Sequence, residues 1–281
     1  MKTGGSSLEI EHCREVALKP GSLFEFTSRF LPADQIDEYL ALYAITQLIQ
    51  AIPAASFDDE VKWAKLKWWN EELAADPGSA SRHPVLRVMW ACGARVKLDN
   101  LLLQRLVRDA VMQMDIAPDS DVNSMFERLA ASGSTAIELE LALAGSGIDK
   151  QSLANIGAAS GLSAVLSSFS AGGQPGFDRI PLSILAKFNL SPAQLEQHRQ
   201  ELAQILADLA TEGLDWFSKG MTGLAGSVGY GAGKHLQLRC AMENRGLTKL
   251  RKNAIRYLDT HQRFGPADAW FAWRFLRRLD S

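Results

Sequence analysis

The sequence has few cysteines and no long apolar run. Cys13, Cys92 and Cys240 are far apart and form no CxxC pair, so neither a disulfide framework nor a zinc site is predicted, and a reducing compartment is expected. No stretch of about 18 consecutive apolar residues occurs, which argues against a transmembrane helix. The N-terminus lacks the apolar segment of a secretory signal. We therefore expect a cytoplasmic protein, with peripheral contact to the inner membrane as an open alternative.

The sequence also has no excess of basic over acidic residues. Thirty basic and 32 acidic residues leave a net charge of −2. This argues against the broad basic face with which proteins hold nucleic acid, so no nucleic-acid partner is predicted. Of the 281 residues, 47% are hydrophobic, which is enough to form a sizeable core.

Alternating strand patterns are scarce, whereas helical spacing recurs along the chain. Leu66, Trp69 and Leu73 form an i, i+3, i+7 stripe, which predicts one buried helix face. Segments 121–145 and 153–171 are rich in small residues, as close helix packing favours. The pattern predicts an all-α fold, with residues 1–281 as a single domain of roughly nine to eleven helices. Residues 1–22 are expected to be loosely ordered.

The glycine-rich segment 223–235 does not fit a nucleotide site. A P-loop needs glycine where Val228 stands and Ser or Thr where His235 stands. A dinucleotide fingerprint would need glycine in place of Lys234. A connection between helices is the better interpretation. The five histidines are dispersed and no G-x-S-x-G elbow occurs, so no catalytic residue and no metal ligand is assigned.

Two clusters allow both a structural and a functional interpretation. Asp58, Asp59 and Glu60 stand at the predicted start of a helix, where acids complement the helix dipole, and this is favoured over metal binding. Trp68 and Trp69 point about 100° apart on a helix. One of them should face the core and the other a neighbouring helix or a pocket rim, and core packing alone would also explain both.

The C-terminal segment 265–281 is predicted to be an amphipathic helix. It places Trp270, Phe271 and Trp273 beside several arginines. Such a helix packs on the core with its arginines in solvent, or lies on a membrane surface through its aromatic residues. Both interpretations remain open from the sequence.

Six segments in order resemble the squalene/phytoene synthase family, over roughly residues 24–210. They are "SRFLP" (28–32), "ALYA" (41–44), "AKLKWWNEEL" (64–73) followed by "HPV" (83–85), "LVRDAVMQMD" (106–115), "STAIELELALAG" (134–145) and "DRIPLSILAKFNLS" (178–191). The resemblance implies an isoprenoid (prenyl) synthase-like helical bundle with a central cavity. It also implies a family chemistry in which isoprenoid diphosphates are condensed head to head.

The acidic motifs of that family are missing. By the family's spacing, the acids of the first motif would fall at Gln50, Ala51 and Ala54, and no Asp or Glu occurs from residue 39 to residue 57. The second motif would fall near 163–171, and residues 150–177 again contain no acid. Active members hold Mg²⁺ with these acids to neutralise the leaving diphosphate. No metal and no cofactor are therefore predicted.

The resemblance thus predicts a non-catalytic relative. It would bind an isoprenoid or another lipid-like ligand, or a protein partner. The latter role would be similar to that of a mitochondrial complex I assembly factor, which also resembles the synthases and lacks their acidic motifs. The candidate cavity-lining, substrate-binding residues are Arg29, Tyr43, Gln50 and Trp69.

The alternative is a Mg²⁺-dependent prenyl transferase that condenses isoprenoid diphosphates with relocated acids. Glu138 and Glu140 in an otherwise apolar segment, and Asp115 at the end of another predicted helix, are the candidates for such acids. A structural ion pair with Arg29 is the interpretation favoured for them, because a buried carboxylate needs a partner.

Overall fold

The regular structure of the chain is helical throughout the part that is described. The computed structural model describes residues 7–75, 81, 83–114, 117–170, 176–227, 233–260 and 263–279. These residues form fourteen α-helices and no strand, which confirms the predicted all-α fold. The helices are α1 (Ser7–Ala17), α2 (Leu23–Thr27), α3 (Ile36–Gln50), α4 (Asp59–Ala74), α5 (Pro84–Ala91), α6 (Ala94–Lys97), α7 (Asn100–Met112), α8 (Val122–Leu143), α9 (Lys150–Ser167), α10 (Leu182–Lys187), α11 (Arg199–Ser227), α12 (Gly233–Lys252), α13 (Ala254–Asp259) and α14 (Pro266–Leu279).

Short helices explain why the structure has more helices than the sequence predicts. Helices α2, α6, α10 and α13 contain four to six residues each. A single turn is too short to establish a 3.6-residue periodicity, so such helices leave no clear pattern in the sequence.

The chain forms two compact units. The described residues within 1–116, 135–147 and 228–236 make up the first unit, and those within 117–134, 148–227 and 237–281 make up the second. The last residues of α8 and the first of α12 therefore belong to the first unit, and the remainder of both helices to the second.

Helix α3 is central to the first unit. Its residues Tyr39, Leu40, Ile45 and Ile49 are completely buried, because α3 packs against α1, α5 and α7. Such packing on several sides accounts for the apolar residues around its circumference. Helix α4 packs against α7 and buries the predicted stripe of Leu66, Trp69 and Leu73.

The N-terminal segment is more ordered than predicted. Residues 7–17 form helix α1, in which Cys13 and Ala17 are fully buried. The helix packs on α3 and α5, and this tertiary burial stabilises a segment of weak amphipathic pattern. The expectation of loose order is thus wrong for residues 7–17, while residues 1–6 lie outside the described residues.

Glycines set the helix packing in the second unit. A β-carbon at Gly133 on α8 would lie 2.1 Å from the carbonyl oxygen of Gly157 on α9. At Gly220 on α11 it would lie 2.6 Å from a side-chain carbon of Ile156. Backbones in such close approach require residues without a side chain at the crossing. The close packing predicted from the small-residue segments is confirmed.

None of the helices in the described part of the chain is both long enough and apolar enough to span a bilayer. Within the predicted C-terminal segment 265–281, Pro266–Leu279 form helix α14.

Candidate functional site

The end of α3 carries the three positions at which the resemblance places the first acidic motif. Helix α3 ends at Gln50, Ala51 is its C-cap, and the following residues form turns. Gln50, Ala51 and Ala54 are all exposed. An amide and two methyl groups cannot replace the carboxylates that Mg²⁺ requires, so these residues do not fit the metal of the family.

The second position for an acidic motif lies at the end of α9 and just beyond it. This helix ends at Ser167 with Ser168 as its C-cap, and the side chains from residue 163 to residue 170 include no carboxylate. Residue 171 lies outside the described residues. Among the residues that the structure places, no group of three or more His, Cys, Asp or Glu side chains is arranged to hold a metal ion.

A groove in the first unit lies at the end of α3 and along α4. Its volume is about 640 Å³, which is within the range of small-molecule sites. Apolar side chains predominate, with one carboxylate and one ammonium group among them. The lining residues are Leu48, Ile52, Glu60, Val61, Ala64, Lys65, Trp68, Trp69 and His83.

Three rings cluster along this groove. The centroid of Trp69 lies 4.7 Å from that of His83 and 4.9 Å from that of Trp68. Trp69 is 5% exposed and Trp68 39%, so one ring faces the core and the other the groove rim, as the sequence predicts. Of the predicted cavity-lining residues, Trp69 lines this ligand-sized groove.

His83 presents a neutral imidazole to the groove. Burial lowers the pKa of His83, and the neighbouring His12 lowers it further, while Glu72 opposes both effects. The Nδ1 atom accepts a hydrogen bond from the Val85 amide at 3.3 Å and so caps the N-terminus of α5. An unprotonated nitrogen is needed for this cap, so the lowered pKa and the structural role agree.

Tyr43, the second candidate, belongs to a buried polar cluster. Its hydroxyl donates to Glu140 Oε1 at 2.9 Å, and Glu140 Oε2 lies 3.3 Å from His235 Nδ1. The other ring nitrogen of His235 lies 3.1 Å from the Thr27 hydroxyl. Phe24 stacks on Tyr43 with ring centroids 3.6 Å apart. Tyr43 is half-buried, and both its hydroxyl and its ring contact other side chains of the protein.

Neither Arg29 nor Gln50 is among the lining residues of the groove, and both are exposed. Arg29 pairs with Glu25 at 2.5 Å and its side chain is 65% exposed. The prediction that Arg29 neutralises the acids of α8 is wrong: Glu138 pairs with Arg105 instead, and Glu140 belongs to the polar cluster. Arg29 and Glu25 are one turn apart on an exposed surface, and this local pair forms without any tertiary contact.

Asp109 on α7 is a titratable group that sequence reasoning missed. It is 5% exposed, and burial raises the pKa of its carboxyl group to about 6. Thr135, Arg105 and Arg108 offset only part of that effect, and Glu138 adds to it. The sequence did contain a pattern that predicts this burial. Asp109 stands three residues after Leu106, so helical spacing places it on the same buried face of α7. Strongly shifted carboxyl groups concentrate at functional sites and also occur in structural networks.

Solved structures share this architecture. The squalene synthase HpnC from Alicyclobacillus acidocaldarius is 18% identical, with a TM-score of 0.69 over 87% of this chain and 94% of that chain. A dehydrosqualene synthase solved with a ligand is 14% identical, with a TM-score of 0.74 over 97% and 95%. YisP from Bacillus subtilis strain 168 is also 14% identical, with a TM-score of 0.59 over 96% and 98%. At these identities the likeness establishes a fold, that of the helical isoprenoid synthases.

The sequence profile for squalene/phytoene synthase matches residues 19–264. Since this range covers most of the chain, the protein belongs to the squalene/phytoene synthase family. No curated protein matches it in sequence.

Proposed function

We propose that this family member is non-catalytic and binds an isoprenoid or a similarly apolar chain. The observation that carries the proposal is the absence of acids from both motif positions, 50–54 and 163–171. Ionisation of an allylic diphosphate places negative charge on the leaving group as its bond to carbon breaks. Without carboxylates to hold Mg²⁺ against that charge, the family reaction loses its main stabilisation.

Two of the acids that could substitute for the motifs already have partners, and the third, Asp115, lies outside the described residues. Glu138 pairs with Arg105, and Glu140 accepts from Tyr43 and faces His235. Recruiting Glu140 for a metal would leave Tyr43 and His235 without their shared partner in a buried site. Recruiting Glu138 would break its half-buried pair with Arg105. These contacts favour a structural role for both acids over the prenyl transferase alternative.

The groove beside α4 supports the binding role. A volume of about 640 Å³ with mainly apolar walls suits a flexible hydrocarbon chain. The Trp68 and Trp69 rings supply wide, rigid contact surfaces. Lys65 is already placed over the Phe57 ring, with its Nζ 3.6 Å from the centroid, so the contacts offered to a ligand are chiefly apolar.

Turnover is the direct test of the non-catalytic assignment. Purified protein incubated with farnesyl or geranylgeranyl diphosphate and Mg²⁺ should release no diphosphate and form no condensed product. Diphosphate release above that of the buffer, proportional to protein concentration, would reject the assignment and establish an enzyme.

Ligand binding is tested separately with farnesol, which carries no diphosphate. We expect farnesol to quench tryptophan fluorescence, and Trp68→Ala to weaken its binding by about tenfold, which corresponds to about 1.4 kcal/mol. Trp63→Ala is the matched control, because Trp63 is similarly exposed (51%) and lines a separate groove of about 310 Å³. Absence of binding would contradict the ligand proposal and favour the assembly-factor-like role with a protein partner.

A further inference from the structure

Helix α14 carries two exposed tryptophans paired with two arginines. Trp270 is 58% exposed and Trp273 is 51% exposed. The guanidinium carbon of Arg274 lies 5.3 Å from the Trp270 ring centroid, and that of Arg277 lies 5.0 Å from the Trp273 centroid. These four residues, spaced three or four apart, form one side of the helix, here called the Trp–Arg face.

The opposite side of α14 fixes the orientation of the helix in the second unit. Ala272 is fully buried. Asp268 accepts from Arg245 at 2.9 Å and from Lys249 at 2.7 Å, both on α12. Phe271 lies under Arg245, with the guanidinium carbon 4.8 Å from its ring centroid. Phe271 is therefore packed against Arg245. Because this side of α14 is anchored to the second unit, the opposite side, the Trp–Arg face, is exposed to solvent.

The charge of the Trp–Arg face has a single sign. In the described part of α14 the one acid is Asp268, which is buried and held by two cations. Burial by itself raises the pKa of Asp268, but the hydrogen bonds from Lys249, Arg245 and the Gly265 amide outweigh it and hold the pKa below its usual range. Within Pro266–Leu279 no carboxylate is thus left to neutralise Arg274 and Arg277.

We infer that the Trp–Arg face docks the protein on an anionic lipid bilayer. Indole rings prefer the boundary between headgroups and acyl chains, and guanidinium groups form paired hydrogen bonds with phosphate. A uniform cationic row is complementary to a uniform anionic surface, whereas protein interfaces mix both charges and hydrogen-bonding groups. Because α14 lies along the surface and none of the described helices spans a bilayer, the attachment is peripheral and reversible. This inference is independent of whether the protein catalyses a reaction.

Vesicle sedimentation of the full chain tests the inference. We expect binding to vesicles of phosphatidylcholine with phosphatidylglycerol, much weaker binding to phosphatidylcholine alone, and release by salt. Arg274→Gln with Arg277→Gln should weaken binding to the anionic vesicles at least tenfold and abolish the preference for them. Trp270→Ala with Trp273→Ala should weaken binding to a similar extent while retaining the preference, since the arginines remain.

Two matched controls keep the test specific. Arg14→Gln with Lys19→Gln removes two exposed cations from the first unit, and Trp63→Ala removes an exposed tryptophan from α4. Neither should alter vesicle binding. Equal binding by the parent and both α14 variants, or no binding by the parent, would overturn the inference. Capture of a protein that depends on Trp270 and Trp273, without vesicle binding, would instead assign the face to a protein interface.

Discussion

Glu140 and His235 are separated by 95 positions in the sequence, yet Oε2 of the first lies 3.3 Å from Nδ1 of the second. Both side chains are almost fully buried, at 3% and 1% exposure. A carboxylate in such a place requires partners for both oxygens, and Tyr43 provides the other one. The contact connects the end of α8, the start of α12 and α3 within the first unit. An acid that the sequence offers as a relocated metal ligand thus has a complete structural explanation.

Removing that acid should destabilise the protein strongly. Glu140→Ala leaves His235 and Tyr43 without their shared partner, and breaking a buried polar pair typically lowers the free energy of unfolding by about 3–5 kcal/mol. Urea unfolding followed by circular dichroism measures the change. Arg29→Ala is the control, because its exposed pair with Glu25 should contribute roughly 0–1 kcal/mol. Equal effects of the two substitutions would contradict the structural role of the cluster.

Asp109→Asn should stabilise the protein at neutral pH. Burial raises the pKa of Asp109 to about 6 in the folded state from 3.8, so the folded state disfavours the charged form. The contribution of Asp109 to the free energy of unfolding is therefore fully present below about pH 4 and is lost as the pH rises through about 6. The free energy of unfolding falls by up to about 3 kcal/mol over this range, and an uncharged Asn side chain avoids that loss.

The measurement for Asp109 compares the parent and the Asn variant by urea unfolding at pH 4 and pH 7.5. The Asn variant should have a higher free energy of unfolding than the parent at pH 7.5, and this difference should largely vanish at pH 4. A variant that is less stable at pH 7.5 would mean that Arg105 and Arg108 hold Asp109 in its charged form. The pKa of the group would then be close to its ordinary value.

Two glycines in the second unit should respond oppositely to alanine. At Gly133 the new methyl group would meet a backbone oxygen of α9 at 2.1 Å, so α8 and α9 must separate, and a loss of at least about 2–3 kcal/mol is expected. At Gly246, inside α12, a β-carbon meets nothing within 4 Å. Alanine there should add about 0.5–1 kcal/mol through helix propensity. Thermal unfolding of both variants checks the sign, and tolerance of alanine at Gly133 would refute the close helix crossing.

The parts of the fold that were predictable depend on neighbours along the chain. The stripe through Leu66, Trp69 and Leu73 repeats every three or four residues, so periodicity alone identified its buried face. The different exposures of Trp68 and Trp69 follow from the 100° step between adjacent helical residues. The close packing at Gly133 follows from the small-residue composition of its segment.

The parts that were missed depend on distant partners. Arg29 was expected to reach the acids of α8, but Glu25, one turn away, is its partner. Nothing near His235 in the sequence indicates that Glu140 and Thr27 will enclose it. The order of residues 7–17 likewise comes from burial of Cys13 and Ala17 against other helices. A contact between side chains about a hundred residues apart produces no pattern in the neighbouring sequence from which it could be predicted.

Three properties could be read from the residues alone: the all-α class, the family resemblance and the lack of acids at both motif positions. These properties reside in residue identity and short spacing, which folding does not alter. Three other properties emerged from the folded chain: Glu140 has structural partners, Trp68 and Trp69 line a groove, and Trp270 and Trp273 face solvent while Phe271 is packed. Burial and pairing depend on which helix faces meet, and those faces come together from distant parts of the chain.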